Sequence, residues 1–142
     1  MNLAGETPLY IAARRGNLSV TKLLLDEGAN PNVVDSKGKT PLHYAAENNA
    51  QMVELLVSYR STNVNARDKD GWTPLHVAAN KGNESAAKAL LAAKADPNAM
   101  NSKGRTPLSL AIEKENYVLI NLLKPATTGT LPPTTGESDT TK

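Results

Sequence analysis

Residues 71–79 read Gly-Trp-Thr-Pro-Leu-His-Val-Ala-Ala, and the same pattern returns at intervals of 33 residues. Residues 38–46 read Gly-Lys-Thr-Pro-Leu-His-Tyr-Ala-Ala, and residues 5–13 read Gly-Glu-Thr-Pro-Leu-Tyr-Ile-Ala-Ala. Residues 104–112 read Gly-Arg-Thr-Pro-Leu-Ser-Leu-Ala-Ile. Four copies at a constant spacing predict one structural unit that is used four times.

Each copy has the residues of a tight turn followed by a capped helix. The Thr hydroxyl can accept a hydrogen bond from a backbone N–H of the first helical turn, and Pro fits the first helical position. Gly two residues before Thr permits the positive φ that tight turns need. The helix formers Leu and Ala follow, and the small Ala side chains allow close packing. The predicted caps are Thr7, Thr40, Thr73 and Thr106.

The remainder of each copy is typical of a second helix. In the first copy we predict helices over about 7–14 and about 18–27, joined by a short turn. The helical period places Val20, Leu23 and Leu24 on the core side of the second helix.

The second copy keeps the 33-residue period although its loops differ. The turn at 47–50 is one residue shorter than in the first copy, and the loop at 58–63 is one residue longer. The longer loop carries Tyr59 and Arg60, which are candidates for contact with a partner. Neutral variation of a surface loop is the simpler explanation.

The pattern closely resembles the ankyrin repeat, whose signature is Thr-Pro-Leu-His-x-Ala-Ala, and the resemblance covers residues 2–124. It implies an all-α repeat solenoid in which each unit is a β-hairpin-like finger followed by two antiparallel helices. It also implies that the imidazoles of His43 and His76 form hydrogen bonds within and between repeats. Together with the four Thr caps, these two histidines form the predicted structural signature.

The repeats define the domain organisation. We predict one domain over residues 1–124, with repeats at about 2–34, 35–67, 68–100 and 101–124. The fourth copy departs most from the pattern, as expected of a terminal repeat. Residues 125–142 are rich in Thr and Pro and contain few large apolar side chains, so we expect a flexible tail.

Composition excludes several classes of protein. The 142 residues include no Cys, which excludes a disulfide framework and Cys-based metal sites. No stretch approaches the roughly 18 apolar residues of a membrane span, and the first residues do not form a signal peptide. We therefore expect a cytoplasmic protein that does not enter a membrane, although export without a signal peptide stays open.

No constellation of residues indicates catalysis. The two histidines lie one repeat apart, which corresponds to roughly 10 Å between adjacent helices, too far to share a metal ion. Asn2, Asp35, Asp68 and Asn101 also recur at 33 residues, and side chains of this type bond to the backbone of their own turn. We expect no enzyme activity, no cofactor and no small-molecule substrate.

The resemblance implies that the finger tips and the ends of the first helices line a concave face that binds partners. Nine side chains of that face are basic, within a chain of net charge +2. Four are acidic, namely Glu6, Glu47, Asp70 and Glu113. Either this face recognises an acidic surface, or the excess of basic side chains is ordinary solvated surface. The predicted contact residues are Arg14, Arg15, Lys37, Lys39, Glu47, Lys69, Asp70, Trp72, Lys81, Lys103, Arg105 and Lys114.

Trp72 differs from the other copies at its position, where Glu6, Lys39 and Arg105 stand. An indole among charged side chains is typical of an interface anchor. The alternative is that the ring lies flat on a neighbouring finger.

The sequence leaves three candidate functions, which are given in decreasing order of support. The first is a monomeric, non-catalytic module that binds a protein with an acidic surface. The second is binding of a polyanion or nucleic acid through the same basic face, although aromatic residues for base stacking are scarce. Binding that persists at high salt favours the first, and a steep loss with salt favours the second. Enzymatic activity is the most remote.

Overall fold

The computed structural model describes residues 7–124, which form eight short α-helices arranged as four successive pairs and contain no β-strand. First helices pack on first helices of the next pair, and second helices pack likewise on second helices. The predicted all-α repeat solenoid is therefore confirmed, while residues 1–6 and the predicted tail at 125–142 lie outside the described residues. The helices are α1 (Pro8–Arg14), α2 (Leu18–Asp26), α3 (Pro41–Asn48), α4 (Ala50–Val57), α5 (Pro74–Lys81), α6 (Glu84–Ala92), α7 (Pro107–Glu113) and α8 (Tyr117–Leu123).

The first helix of every pair begins at the predicted Thr. In α3, Thr40 Oγ1 accepts from the backbone N–H of His43, and His43 Nδ1 in turn accepts from the backbone N–H of Thr40. This reciprocal capping box satisfies two backbone donors that a helix start leaves without partners. In α7 the Ser109 hydroxyl accepts from the backbone N–H of Thr106, so the capping box is also present in the fourth repeat, where Ser replaces His.

Asn caps all four second helices, and its side chain accepts from the backbone N–H three residues later. In the second pair, Asn49 ends α3 and also begins α4. The shortened turn predicted for this repeat is therefore present. The other three turns contain a residue with positive φ, namely Gly16, Gly82 and Glu115.

The core is built from Leu and Ala, with small contributions from Val and Met. The prediction for α2 was wrong on two residues, because Val20 is 40% exposed and Leu23 is 59% exposed. Thr21 and Leu25 are buried instead. The position of Val20 faces the preceding repeat, and no repeat precedes the first one within residues 7–124.

Tyr59 lies in the lengthened loop after α4 and links two repeats. Its ring is half-buried against the core, and its hydroxyl donates to Asp26 Oδ1 over 2.5 Å. Asp26 also pairs with Lys22 at 2.8 Å. Tyr59 therefore connects the lengthened loop of the second repeat to α2 of the first.

A finger is the turn that precedes the first helix of a pair, so the second, third and fourth fingers are residues 35–39, 68–72 and 101–105. These fingers stack through their backbones. Lys69 N–H donates to the Lys37 carbonyl over 3.1 Å, and Ser102 N–H donates to the Asp70 carbonyl over 3.0 Å. A Cβ on Gly71 would lie 2.9 Å from the Ser102 nitrogen, so this approach requires glycine. The stacked fingers form one wall of the site described next.

Candidate partner-binding site

A groove of about 520 Å³ runs along the third and fourth fingers and the adjoining ends of α3 and α5. Seven of the twelve predicted contact residues line it. The lining residues are Lys39, Glu47, Asp68, Asp70, Trp72, Val77, Asn80, Lys81, Asn101, Ser102, Lys103 and Arg105.

The other five predicted contact residues lie outside this lining. Arg14 extends over the ring of Tyr10, with its guanidinium carbon 5.7 Å from the ring centroid. Arg15 is the exposed C-cap of α1, and Lys114 is the exposed C-cap of α7. Lys37 and Lys69 are exposed at finger tips.

Trp72 lies partly on the core and partly on the groove surface. Its side chain is half-buried and packs against the core, with its ring centroid 5.9 Å from that of His76. The remaining surface of the indole faces the groove. A fixed aromatic ring with one accessible face loses little side-chain entropy when it binds a partner.

The two signature histidines each bond to the next finger along the chain, His43 to the third finger and His76 to the fourth. His43 Nδ1 accepts from Thr40, so the proton is on Nε2, which donates to the Trp72 carbonyl over 2.7 Å. His76 Nε2 donates in the same way to the Arg105 carbonyl over 2.8 Å. Burial lowers the pKa of both imidazoles below the usual value, which favours the neutral form that these bonds require. Hydrogen bonding within and between repeats is thus confirmed.

The second finger is occupied by tyrosines of the chain itself. Tyr10 and Tyr44 both donate to Asp35 Oδ2, over 2.8 Å in the case of Tyr44. Asp35 Oδ1 accepts from the backbone N–H groups of Lys37 and Lys39 at 2.9 and 3.0 Å. The tyrosine rings meet edge to face, with centroids 5.4 Å apart, and the Lys39 ammonium lies 5.3 Å from the Tyr44 centroid.

This cluster shifts the pKa values of its members in opposite directions. Partial burial alone would raise the pKa of Asp35, but the hydrogen bonds from Tyr10, Lys39, Tyr44 and Lys37 outweigh it, so the pKa lies below the usual value. Burial and the bonds to Asp35 raise the pKa of Tyr10. The cluster is therefore an ionised carboxylate between two neutral phenols.

Asp68 occupies the same place in the third finger with different neighbours. Its Oδ1 accepts from the backbone N–H groups of Asp70 and Trp72 at 2.8 and 3.0 Å. Val77 replaces Tyr44 at the corresponding helix position, and His43 replaces Tyr10 but bonds to a carbonyl instead. The groove lies at this finger, where neither corresponding position has a phenol.

Sequence reasoning assigned Asp68 only to the turn and did not select Val77. The sequence does contain a signal for the open position beside Asp68, since Val77 stands one repeat after Tyr44.

The charge of the groove is close to balanced. Four lining side chains are basic and three are acidic. Arg105 Nη1 also lies 2.8 Å from Glu113 Oε1, which offsets one of the four cations. The predicted basic excess therefore extends over the surrounding face more than within the groove.

Residues 7–124 lack two further kinds of site. In this range no group of three or more His, Cys, Asp or Glu side chains is placed to hold a metal ion. None of the eight helices has the length and apolar character needed to cross a membrane.

Comparison with known proteins agrees with the repeat geometry. The family model for ankyrin repeats, which comprises three copies, matches residues 1–68 and again residues 52–129. A search of curated proteins gave no match. The family model covers most of the chain, and the capped helix pairs recur at the spacing of the sequence motif. The chain therefore belongs to the ankyrin repeat family.

Proposed function

We propose that the chain is a monomeric, cytoplasmic binding module whose groove holds a protein partner around Trp72. Ankyrin repeats are generally protein–protein interaction modules and typically have no catalytic role. The observation that carries the proposal is the half-buried indole on the groove wall, among seven charged lining side chains. Aromatic anchors with a charged rim are typical of interface centres.

The test is affinity capture from a lysate with the wild type and two alanine variants. Trp72→Ala removes the anchor and should weaken capture of the main partner at least tenfold, the usual scale for loss of a central aromatic residue. Tyr117→Ala is the matched control, because Tyr117 is 68% exposed and lies outside the groove.

Circular dichroism must show that Trp72→Ala keeps its helices. Equal capture by the wild type and Trp72→Ala would refute the proposal. So would a loss of capture that is no larger than the loss caused by Tyr117→Ala.

The charged rim should act mainly on the rate of association. Lys39→Glu combined with Arg105→Glu reverses two groove cations and should slow binding of an acidic partner while flattening its salt dependence. A change confined to the dissociation rate would argue against an acidic partner.

Binding of a polyanion through the same face is the weaker alternative. Three carboxylates line the groove, and they would repel a phosphate backbone. A steep loss of affinity with salt, unaffected by Trp72→Ala, would favour this alternative.

A further inference from the structure

We propose that the groove selects a tyrosine of the partner, whose phenol hydroxyl donates a hydrogen bond to Asp68 Oδ2. The inference rests on the proposed function, since it assumes that the groove is the partner-binding site. It adds the identity of the side chain that the groove accepts.

The second finger supplies the template for this recognition. There the carboxylate of Asp35 uses Oδ1 for its own turn and Oδ2 for the hydroxyls of Tyr10 and Tyr44. Tyr44 lies in the middle of α3 beside that finger, with the Lys39 ammonium near the face of its ring. The chain thus contains one complete example of a phenol held by a finger carboxylate.

The third finger repeats the carboxylate without the phenols. Asp68 Oδ1 is engaged by the turn as in Asp35, but among residues 7–124 no side chain donates to Oδ2. The shorter Val77 stands where the Tyr44 ring would lie and lines the groove with Asp68 and Trp72. An external tyrosine can therefore place its hydroxyl at Oδ2 and its ring against Val77 and the indole.

Charge favours a phenol over other donors. A Lys or Arg side chain could also donate to Asp68, but it would add a cation to a groove whose four basic side chains already outnumber its three acidic ones. A phosphotyrosine would bring its dianion against the Asp68 carboxylate. A neutral phenol can donate to a carboxylate without either repulsion, and its ring can meet Trp72 as Tyr10 meets Tyr44.

The first experiment compares two small probes by NMR. N-acetyl-tyrosinamide and N-acetyl-phenylalaninamide are titrated into labelled protein, and the indole N–H of the single tryptophan reports binding. The tyrosine compound should shift this signal saturably and bind about tenfold more tightly, since a hydrogen bond to a charged acceptor is lost in the phenylalanine compound.

Asp68→Asn is the decisive variant, and the chain itself shows that it should fold. Asn101 holds the corresponding place in the fourth finger, and its Oδ1 accepts from Lys103 and Arg105 as Asp68 does from its own turn. Asp68→Asn should therefore keep the turn but lose the preference for tyrosine over phenylalanine.

Val77→Tyr should abolish binding of the tyrosine compound, because it places a phenol of the chain itself beside Asp68. Val118→Tyr is the control, because Val118 is 52% exposed and lies outside the groove lining, so this variant should still bind the compound.

Several outcomes would overturn the inference. These are equal affinity for the two compounds, no saturable shift from either, or a retained tyrosine preference in Asp68→Asn. Tighter binding of N-acetyl-lysinamide or of the phosphotyrosine compound would also contradict it. If the partner needs Trp72 but not a tyrosine hydroxyl, the inference fails while the proposed function stands.

Discussion

Thr21 has the one buried side-chain polar atom without a hydrogen-bond partner among residues 7–124. The residue is fully buried in α2, and Val53 and Ala87 occupy the corresponding positions in α4 and α6. A buried hydroxyl without a partner costs free energy that an apolar side chain of the same shape does not. We expect Thr21→Val to raise the free energy of unfolding by about 1 kcal/mol, as measured by urea denaturation.

Thr21→Ser provides the comparison for this prediction. It keeps the hydroxyl and removes a buried methyl group, so it should destabilise the protein. A Thr21→Val variant that is less stable than the wild type would show that the hydroxyl has a partner in solution.

The two histidines predict how stability depends on pH. Burial lowers the pKa of His43 and His76 in the folded protein, so between the folded and unfolded pKa values the unfolded chain binds more protons. The contribution of the two neutral histidines to the free energy of unfolding is fully present above the pKa of His in the unfolded chain, about 6.5. It is lost as the pH falls below that pKa. The thermal midpoint should therefore decrease as the pH is lowered from 7.5 to about 5.5, the range in which unperturbed His titrates.

A variant with His43→Gln and His76→Gln should be less stable but should show a flatter pH profile over this range. These are the only two histidines in the chain. An unchanged slope in the variant would assign the pH dependence to other groups.

The turn between α7 and α8 contains a strained residue. Glu115 has φ of 55°, where Gly16 and Gly82 have 77° and 74° in the corresponding turns. A side chain in this left-handed region costs about 1 kcal/mol or more, partly offset by the greater entropy of glycine in the unfolded chain. We expect Glu115→Gly to stabilise the protein by about 0.5 kcal/mol in chemical denaturation.

Glu115→Ala separates conformation from charge. It removes the carboxylate but keeps the Cβ, so it should not give the same gain. Equal stabilisation by both variants would attribute the effect to charge.

Helix starts were predictable from the sequence because capping chemistry is local. Thr at the cap and Pro beside it determine where α3 and α5 begin, and the structure agrees. The core side of α2 was not predictable in this way, because the exposure of Val20 depends on whether another repeat packs against it. The periodicity of one helix contains no information on that neighbour.

The groove was predictable in part. The repeat frame placed Trp72 and Arg105 on one surface, and both residues line one groove in the structure. Asp68 was missed because its own sequence position resembles that of Asp35. The surroundings of the two carboxylates differ, because Tyr44 donates to Asp35 whereas Val77 lines the groove with Asp68. These neighbours come from the helices and meet the fingers only when the helices are packed.

The solenoid as a whole should unfold from its ends. Each helix pair packs on its neighbours, so an internal pair has two such interfaces and a terminal pair of the array has one. Exposure already differs, because Ile112 in the fourth repeat is 54% exposed while Ala79 in the third is fully buried. Amide hydrogens of α5 and α6 should therefore exchange more slowly than those of α7 and α8. Equal protection in hydrogen-exchange experiments would indicate a single cooperative unit.

The proposed function requires the partner to bind in the groove around Trp72. The most direct test is an NMR map of the labelled chain with and without the captured partner. We expect the largest shift changes at the Trp72 indole and in the third and fourth fingers, with little change at Tyr117 and Val118, which are exposed outside the groove. The largest changes at Ile112, Tyr117 and Val118, with an unchanged indole signal, would contradict it.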